Sequence, residues 1–358
     1  MSVKEKIRIG LIGAGNIGAV HLGELAKLGD ECEVVAVSDA YLPLAEARAK
    51  AFNIPVVSKS PEELISSREV DAVIIGVPNQ YHAPLALLAL ESGKHVLLEK
   101  PMGLHAEAAR DIVRAQKKSG KTLMVAQNMR WEWLSQKVKK QVELGELGHI
   151  YTAKTGWYRR KGIPGWGTWF TQTAQSGGGP LIDIGVHMLD LAIYLMGSPK
   201  PVSVYGSVYS EFGPKKKGIG TWGTPNWNGI YDVEDLATAL IKMEDGSSLS
   251  LEVSWAVHMD TDSTPFIHLM GTEGGAALRG GNGKFLSEKF DEPMEVELHT
   301  PLDDEGARVR MARHFLECIR EGKEPLTSAV TGLTNNLILD AIYESSRTGN
   351  EVKLNWDL

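Results

Sequence analysis

Three side chains in this 358-residue chain have types and spacing suited to proton chemistry: Asp183 and His187, four residues apart, and Lys100, directly after an apolar run. The pattern over residues 181–196 predicts a helix, on which positions four apart share one face at about 5–6 Å between Cβ atoms. A histidine with a carboxylate neighbour can carry a proton at neutral pH. A surface ion pair or a metal site would use the same two residues, but two ligands without a third suit a metal poorly, so no metal is expected. Lys100 lies in the tripeptide Glu99-Lys100-Pro101, after a strand predicted over residues 95–99. That is the carboxyl edge, where open α/β sheets bind ligands. An ammonium there can donate to a substrate oxygen, and desolvation or a nearby cation would lower its pKa. A plain surface charge is the alternative. Oxidation of a secondary alcohol needs such groups, a base for the hydroxyl proton and donors for developing charge, together with a hydride acceptor.

The acceptor has a candidate seat. GAGNIG, Gly13 to Gly18, follows a predicted strand and opens a predicted helix. Gly13 permits the tight turn, Gly15 lets the backbone approach a pyrophosphate, and Gly18 allows close packing of helix on strand. The first helical amides, from Asn16 and Ile17 onward, then face the phosphates at the positive end of the helix dipole. Asp39 stands 21 residues after Gly18, at the end of the second predicted strand. A carboxylate there accepts from the adenosine-ribose hydroxyls and repels a 2′-phosphate, and neither Ala40 nor Tyr41 supplies a cation to offset this. NAD is therefore expected over NADP, although Asp39 is also a possible helix N-cap.

The elements that must position these residues follow from periodicity. Short, continuously apolar runs at 7–12, 33–38, 72–77, 95–99 and 122–126 alternate with helical segments, the pattern of a parallel sheet buried on both faces. Beyond residue 128 the expectation is a helix over 131–144, a strand at 150–158, the 181–196 helix, and strands at 202–209, 236–243, 248–257 and 266–270. Asp245-Gly246 is the hairpin turn between two of these strands, and helices at 307–321 and 327–348 close the chain. The fold class read from this is α/β: a doubly wound Rossmann domain over residues 1–127, then an α+β domain with a large, mostly antiparallel open sheet over residues 128–358.

Bulk properties exclude other classes. The net charge of −7 carries no basic stripe for nucleic acid, and Lys215-Lys216-Lys217 reads as a solvated loop. No run of 18 uninterrupted apolar residues is present, so neither a membrane span nor a membrane partner is expected. Two cysteines, Cys32 and Cys318, form no disulfide framework, and the amino terminus leads directly into the first strand. A cytoplasmic protein is expected. Seven of the nine tryptophans fall between Trp131 and Trp227. Trp166 and Trp169, in the loop before the 181–196 helix, suit the C–H face of a sugar ring, though ordinary core is the alternative for each. Arg159, in the same loop, can bind a carboxylate or phosphate on the substrate or face solvent. Apolar residues on both faces of the later strands call for a homo-oligomer.

Four segments, VPNQYH (77–82), GKHVLLEKP (93–101), GGGPLIDIGVHMLD (177–190) and the tail over 326–352, resemble signatures of the Gfo/Idh/MocA oxidoreductase family, in order and along essentially the whole chain. The resemblance implies pyridine-nucleotide redox chemistry, usually on sugars, cyclitols or related polyols. It implies a catalytic Lys100, with Asp183 and His187 lining the substrate pocket. Pro78, Asn79 and His82 match the segment bordering the nicotinamide, and Glu99 lies in the same cofactor region; His82 as polar filler of a helix is the alternative. Asn128 and Arg130 match the N-x-R joining the domains and are candidate substrate contacts, with Trp131 where the family has Phe or Tyr. The expected activity is an NAD-dependent dehydrogenase acting on a secondary hydroxyl of a sugar, sugar derivative or inositol. Two rivals stay open: glycoside cleavage through transient use of retained NAD, and a non-catalytic dinucleotide-binding sensor.

Overall fold

The computed structural model describes residues 5–260 and 263–358. It divides into two compact units: residues 1–131 with 305–333 and 358, and residues 132–304 with 334–357. The chain returns to the first unit near its end: the helix Ala307–Glu321 belongs there, against α1 (Asn16–Leu25) and the short turn Asn128–Trp131. An amphipathic helix shows in sequence that it has an apolar face, but not which core that face will join.

In the first unit six parallel strands, β1 (Ile7–Ile12), β2 (Cys32–Ser38), β3 (Val56–Val57), β4 (Ala72–Ile75), β5 (His95–Leu98) and β6 (Leu123–Val125), stand in the order β3-β2-β1-β4-β5-β6. This is the doubly wound order whose direction reverses between β1 and β4, the place where such sheets bind ligands. Four of the five predicted strands differ from the observed ones by one or two residues at an end. The two-residue β3 was missed, since a pair of valines carries no periodic signal. α2 (Leu42–Phe52), α3 (Pro61–Ser66), α4 (His82–Glu91) and α5 (Ala106–Ser119) supply the crossovers. Ile9, Leu11, Val37, Ile74 and Leu97 form one buried cluster with Val309, Phe315 and Leu316 of the returning helix.

The second unit holds a nine-stranded sheet. α6 (Trp133–Glu143) leads into β7 (Ile150–Tyr158), and α7 (Thr173–Ser176) into α8 (Val186–Leu195). β8 (Pro201–Tyr209), β9 (Leu236–Met243), β10 (Ser248–Ser254), β11 (Thr264–Gly271), β12 (Gly275–Arg279), β13 (Asn282–Lys289) and β14 (Glu292–Leu298) follow, then α9 (the returning Ala307–Glu321), α10 (Ala329–Thr348) and β15 (Val352–Lys353). The spatial order is β14-β13-β12-β11-β7-β10-β9-β8-β15, antiparallel except for the β7–β10 pair. The Asp245-Gly246 turn joins β9 to β10 as expected, with Gly246 at φ 88°. β12 to β14 were not foreseen.

The helix expected over 181–196 is not uniform. Leu181–Gly185 forms a π-helical turn before α8 continues to Leu195, so Asp183 and His187 do not share one regular α-helix. The run Thr173–Leu195 is long and apolar enough to cross a membrane, which single-residue interruptions hid from the run-length reading, but most of it is buried inside the unit. α8 packs on β7, β10 and β11, so its apolar character is core.

Candidate active site

In the first unit, β1 delivers the chain into the glycine loop. Gly13 has φ 97°, and a Cβ there would lie 2.3 Å from the carbonyl oxygen of Gly76, just beyond β4. A Cβ on Gly18 would lie 2.1 Å from the carbonyl oxygen of Gly13. These two glycines let strand ends and helix approach closely. Gly15 differs: nothing lies within 4 Å of where its Cβ would stand, so its face opens outward. α1 starts at Asn16 with no side-chain cap, leaving its first amides to a ligand. Asp39 Oδ2 accepts the Ala14 N–H at 2.7 Å, and Oδ1 accepts the Tyr41 N–H at 2.8 Å. The carboxylate is thereby fixed to the glycine loop, with further lone pairs for ribose hydroxyls. A close-packed turn, an open glycine face, uncapped helix amides and a fixed carboxylate together fit the adenosine and pyrophosphate portions of NAD. Arg48 of α2, which the sequence reading missed, donates Nε–H to the Ala14 carbonyl at 3.1 Å. It brings to the cradle a cation that Ala40 and Tyr41 do not supply.

Lys100 follows β5 at its carboxyl edge, and its peptide bond to Pro101 is cis. Its backbone N–H points to Glu99 Oε2 at 3.3 Å. Glu99, expected to contact cofactor, is instead buried on protein partners: His21 Nε2 at 2.8 Å and Arg308 Nη1 at 3.9 Å. Burial opposes its ionisation, but the His21 hydrogen bond and the charges of His21, Arg308 and Lys100 outweigh that and hold the carboxyl down at about 2. A carboxylate only accepts, so His21 donates. Nothing in the residue spacing announced His21 or Arg308, which come from α1 and α9.

His82 also changes role. Its fully buried ring places Nδ1 2.7 Å from the Pro101 carbonyl and Nε2 2.9 Å from the Val77 carbonyl. Burial pulls its pKa down against these two carbonyls, which favour the cation. Both ring nitrogens face main-chain carbonyls, and the neutral ring can donate to one of them. It ties the loop after β4, which carries Pro78 and buried Asn79, to the loop that carries Lys100. Arg130 is buried as well and donates to the Leu326 carbonyl at 2.8 Å, which gives it a structural anchor in place of the free substrate contact expected. Asn128 is half-buried at the start of the short turn after β6. The preceding Gln127, 2% exposed, keeps Oε1 without a partner among the described residues.

In the second unit, Asp183 sits in the π-helical turn and His187 at the start of α8. Asp183 Oδ2 accepts Trp255 Nε1–H at 3.1 Å and lies 4.0 Å from Arg159 Nη1. Arg159 in turn lies over the Trp157 ring at 4.9 Å. The turn is held from beneath by Glu234, a buried carboxylate that accepts from the Gly179 N–H at 2.9 Å, the Leu181 N–H at 3.0 Å and the Tyr343 hydroxyl at 3.0 Å. Burial pushes the Glu234 pKa up, against those donors. Asp190 is buried and accepts from Asn335 Nδ2–H at 3.0 Å.

The tryptophans divide. Trp166 is buried, its N–H donated to the Gly213 carbonyl at 2.8 Å and its ring stacked near Trp227 and Tyr231, so it is core and not a sugar platform. Trp169 is half-buried against Phe170. Lys216, in the basic run, is exposed but lies 4.9 Å over the Trp166 ring. Among the described residues no cluster of three or more His, Cys, Asp or Glu could hold a metal.

Comparison with known proteins agrees with both halves. Residues 7–127 match the oxidoreductase family with an NAD-binding Rossmann fold, and residues 135–277 match the GFO/IDH/MocA C-terminal domain. A D-glucoside 3-dehydrogenase of Escherichia coli (strain K12) is 32% identical over 97% of this chain and 97% of its own. A scyllo-inositol 2-dehydrogenase (NAD(+)) of Bacillus subtilis (strain 168) is 27% identical over 98% of this chain and 97% of its own. A solved levoglucosan dehydrogenase in complex with NADH and levoglucosan superposes with a TM-score of 0.88 at 24% identity, covering 98% of this chain and 100% of that one, a likeness of fold. With both domains matched and a relative this similar along nearly its full length, the chain belongs to the GFO/IDH/MocA family of NAD-binding oxidoreductases.

Proposed function

We propose that this chain oxidises a secondary hydroxyl of a sugar, sugar derivative or inositol, with NAD as hydride acceptor. Two observations support the reading, each within its own unit: an open glycine face at Gly15 in the fold unit that carries Lys100 after β5, and Asp183 with His187 at the π-helical turn and the start of α8. NAD, when bound, supplies the redox step. Lys100 and His187 manage the hydroxyl proton, Asp183 orients His187 or a substrate hydroxyl, and Arg159 and Asn128 hold the substrate. The test is NADH absorbance on a panel of sugars, glycosides, inositols and sugar acids. Turnover of one sugar, sugar derivative or inositol is expected. Glycoside cleavage with retained cofactor and no net NADH would replace this reading by the transient one.

NAD should bind at least about tenfold tighter than NADP, roughly 1.4 kcal/mol, because the Asp39 carboxylate is fixed at the ribose edge. Arg48 reduces the gap without closing it. Titration of the apo protein with both nucleotides measures this, and Asp39→Ala should shrink the difference, chiefly by weakening NAD. Equal affinities for the native protein would overturn the role given to Asp39.

The outer face of the second sheet supports a homo-oligomer. α8 covers one face, whereas Tyr205 and Leu240, cross-strand partners on the other, are 52% and 44% exposed. The stacked Tyr158–Phe266 pair lies on that same face. Light scattering at micromolar concentration should report a dimer or tetramer, and Leu240→Arg should shift it toward monomer.

A further inference from the structure

On the second sheet, β7 and β10 run parallel in register, Val253 beside Trp157 and Ser254 beside Tyr158. Side chains alternate along strands, so Trp157 and Arg159 share one face with Val253 and Trp255. That face receives the π-helical turn: a Cβ on Gly185 would stand 3.2 Å from Val253 Cγ2. Asp183 projects from the turn onto the carboxyl ends of both strands. One of its oxygens, Oδ2, meets Trp255 Nε1 at 3.1 Å and the Arg159 guanidinium at 4.0 Å.

The two partners differ in what they can enforce. Arg159 keeps a loose, half-exposed approach beyond hydrogen-bond distance. Trp255 is wholly buried, at 0% exposure, and its indole has no freedom to follow a moving carboxylate. A buried indole N–H needs an acceptor, and a hydrogen bond to a charged group is among the stronger ones.

We propose that Trp255 is a positioning residue for the reaction, its indole N–H fixing the Asp183 carboxylate in the orientation used during turnover. The proposal rests on the catalytic reading of Asp183 given above. A carboxylate held by a rigid donor does not have to find its rotamer at each turnover, so the benefit falls on kcat more than on substrate affinity.

Two changes at this position separate the hydrogen bond from packing. Trp255→Phe removes the donor and some volume. Incorporation of benzothienylalanine at position 255 keeps the bicyclic shape and replaces N–H by sulfur, which keeps the test open if the phenylalanine variant folds poorly. Each should lower kcat about tenfold, with KM changed less than about threefold and NAD affinity unchanged. In an Asp183→Ala background the same changes should cost less than about twofold, because the partner is gone. Full kcat in the benzothienylalanine protein, or the same loss with and without Asp183, overturns the proposal. Asp183→Ala retaining near-full activity would instead overturn the catalytic reading of Asp183, whatever the Trp255 variants do.

Discussion

Lys100→Met is expected to lower kcat by about a hundredfold or more while NAD affinity changes far less. The lysine is placed for donation by its neighbours: Glu99 receives its backbone N–H, and the buried His82 ring holds the Pro101 carbonyl. Methionine keeps the length and apolar stem but has no donor, so the loss reads the ammonium and not the packing. The proposed phosphate cradle, Gly13 to Gly18 with Asp39, comes from the loops after β1 and β2, whereas Lys100 follows β5, so binding and turnover can be read apart. His187→Ala should also cost about a hundredfold in kcat and raise KM as well, since the proposed function makes His187 both a substrate contact and a proton carrier. Asp183→Asn should fall between native and His187→Ala, because the amide keeps the shape and loses the charge. Steady-state rates with NAD titration measure all three. If both Lys100→Met and His187→Ala turned over at near-native rates, the chemistry would have to come from other residues.

Gly15→Ala and Gly18→Ala, three residues apart in one loop, should fail in opposite ways. A methyl on Gly15 meets nothing within 4 Å, and its φ of −65° suits an L-residue, so the fold should be unaffected. The same methyl occupies the open face through which a pyrophosphate approaches the backbone, and NAD affinity should fall about a hundredfold, ~2.7 kcal/mol. A methyl on Gly18 would stand 2.1 Å from the Gly13 carbonyl oxygen, a backbone atom that cannot move without shifting β1 or α1. That variant should lose about 3 kcal/mol of stability or more before any ligand is added. Thermal unfolding of the apo proteins and calorimetric NAD titration separate the two. Native NAD affinity in Gly15→Ala would remove the cradle from its assigned role.

A lower-magnitude consequence follows from Glu99. Its carboxyl is held at about 2 in the folded chain against an ordinary value near 4.5. A depressed carboxylate contributes stability that is fully present above its unfolded pKa and is lost as pH falls through its folded one. This pair should therefore support the first unit at neutral pH and release it between about pH 4.5 and 2.

The sequence determined by itself whatever depends on local spacing. Continuous apolar runs separated by helical segments identified a parallel sheet, because a strand buried on both faces has to be apolar at every position. GAGNIG with Asp39 pointed to the proposed cradle, because a backbone approach to phosphate calls for glycine at those positions and a ribose contact calls for a carboxylate one strand further on. Asp245-Gly246 located a hairpin for the same local reason.

Tertiary structure decided the rest. β13 escaped because Asn282–Lys289 exposes polar residues on both faces and so carries no burial pattern to read. The π-helical turn under Asp183 is set by Glu234, more than fifty residues away along the chain, whose carboxylate takes the Gly179 and Leu181 amides. His82, Glu99 and Trp166 had the right types for a site, yet the fold used their polar atoms on carbonyls, on His21 and on Gly213. His21, Arg48, Trp255 and Arg308 carried no motif, and reached their neighbours only when separate elements packed together. Residue type and spacing state what a side chain is able to do; a buried polar atom then bonds to whichever partner packing places within about 3 Å, and that choice is made by the whole fold.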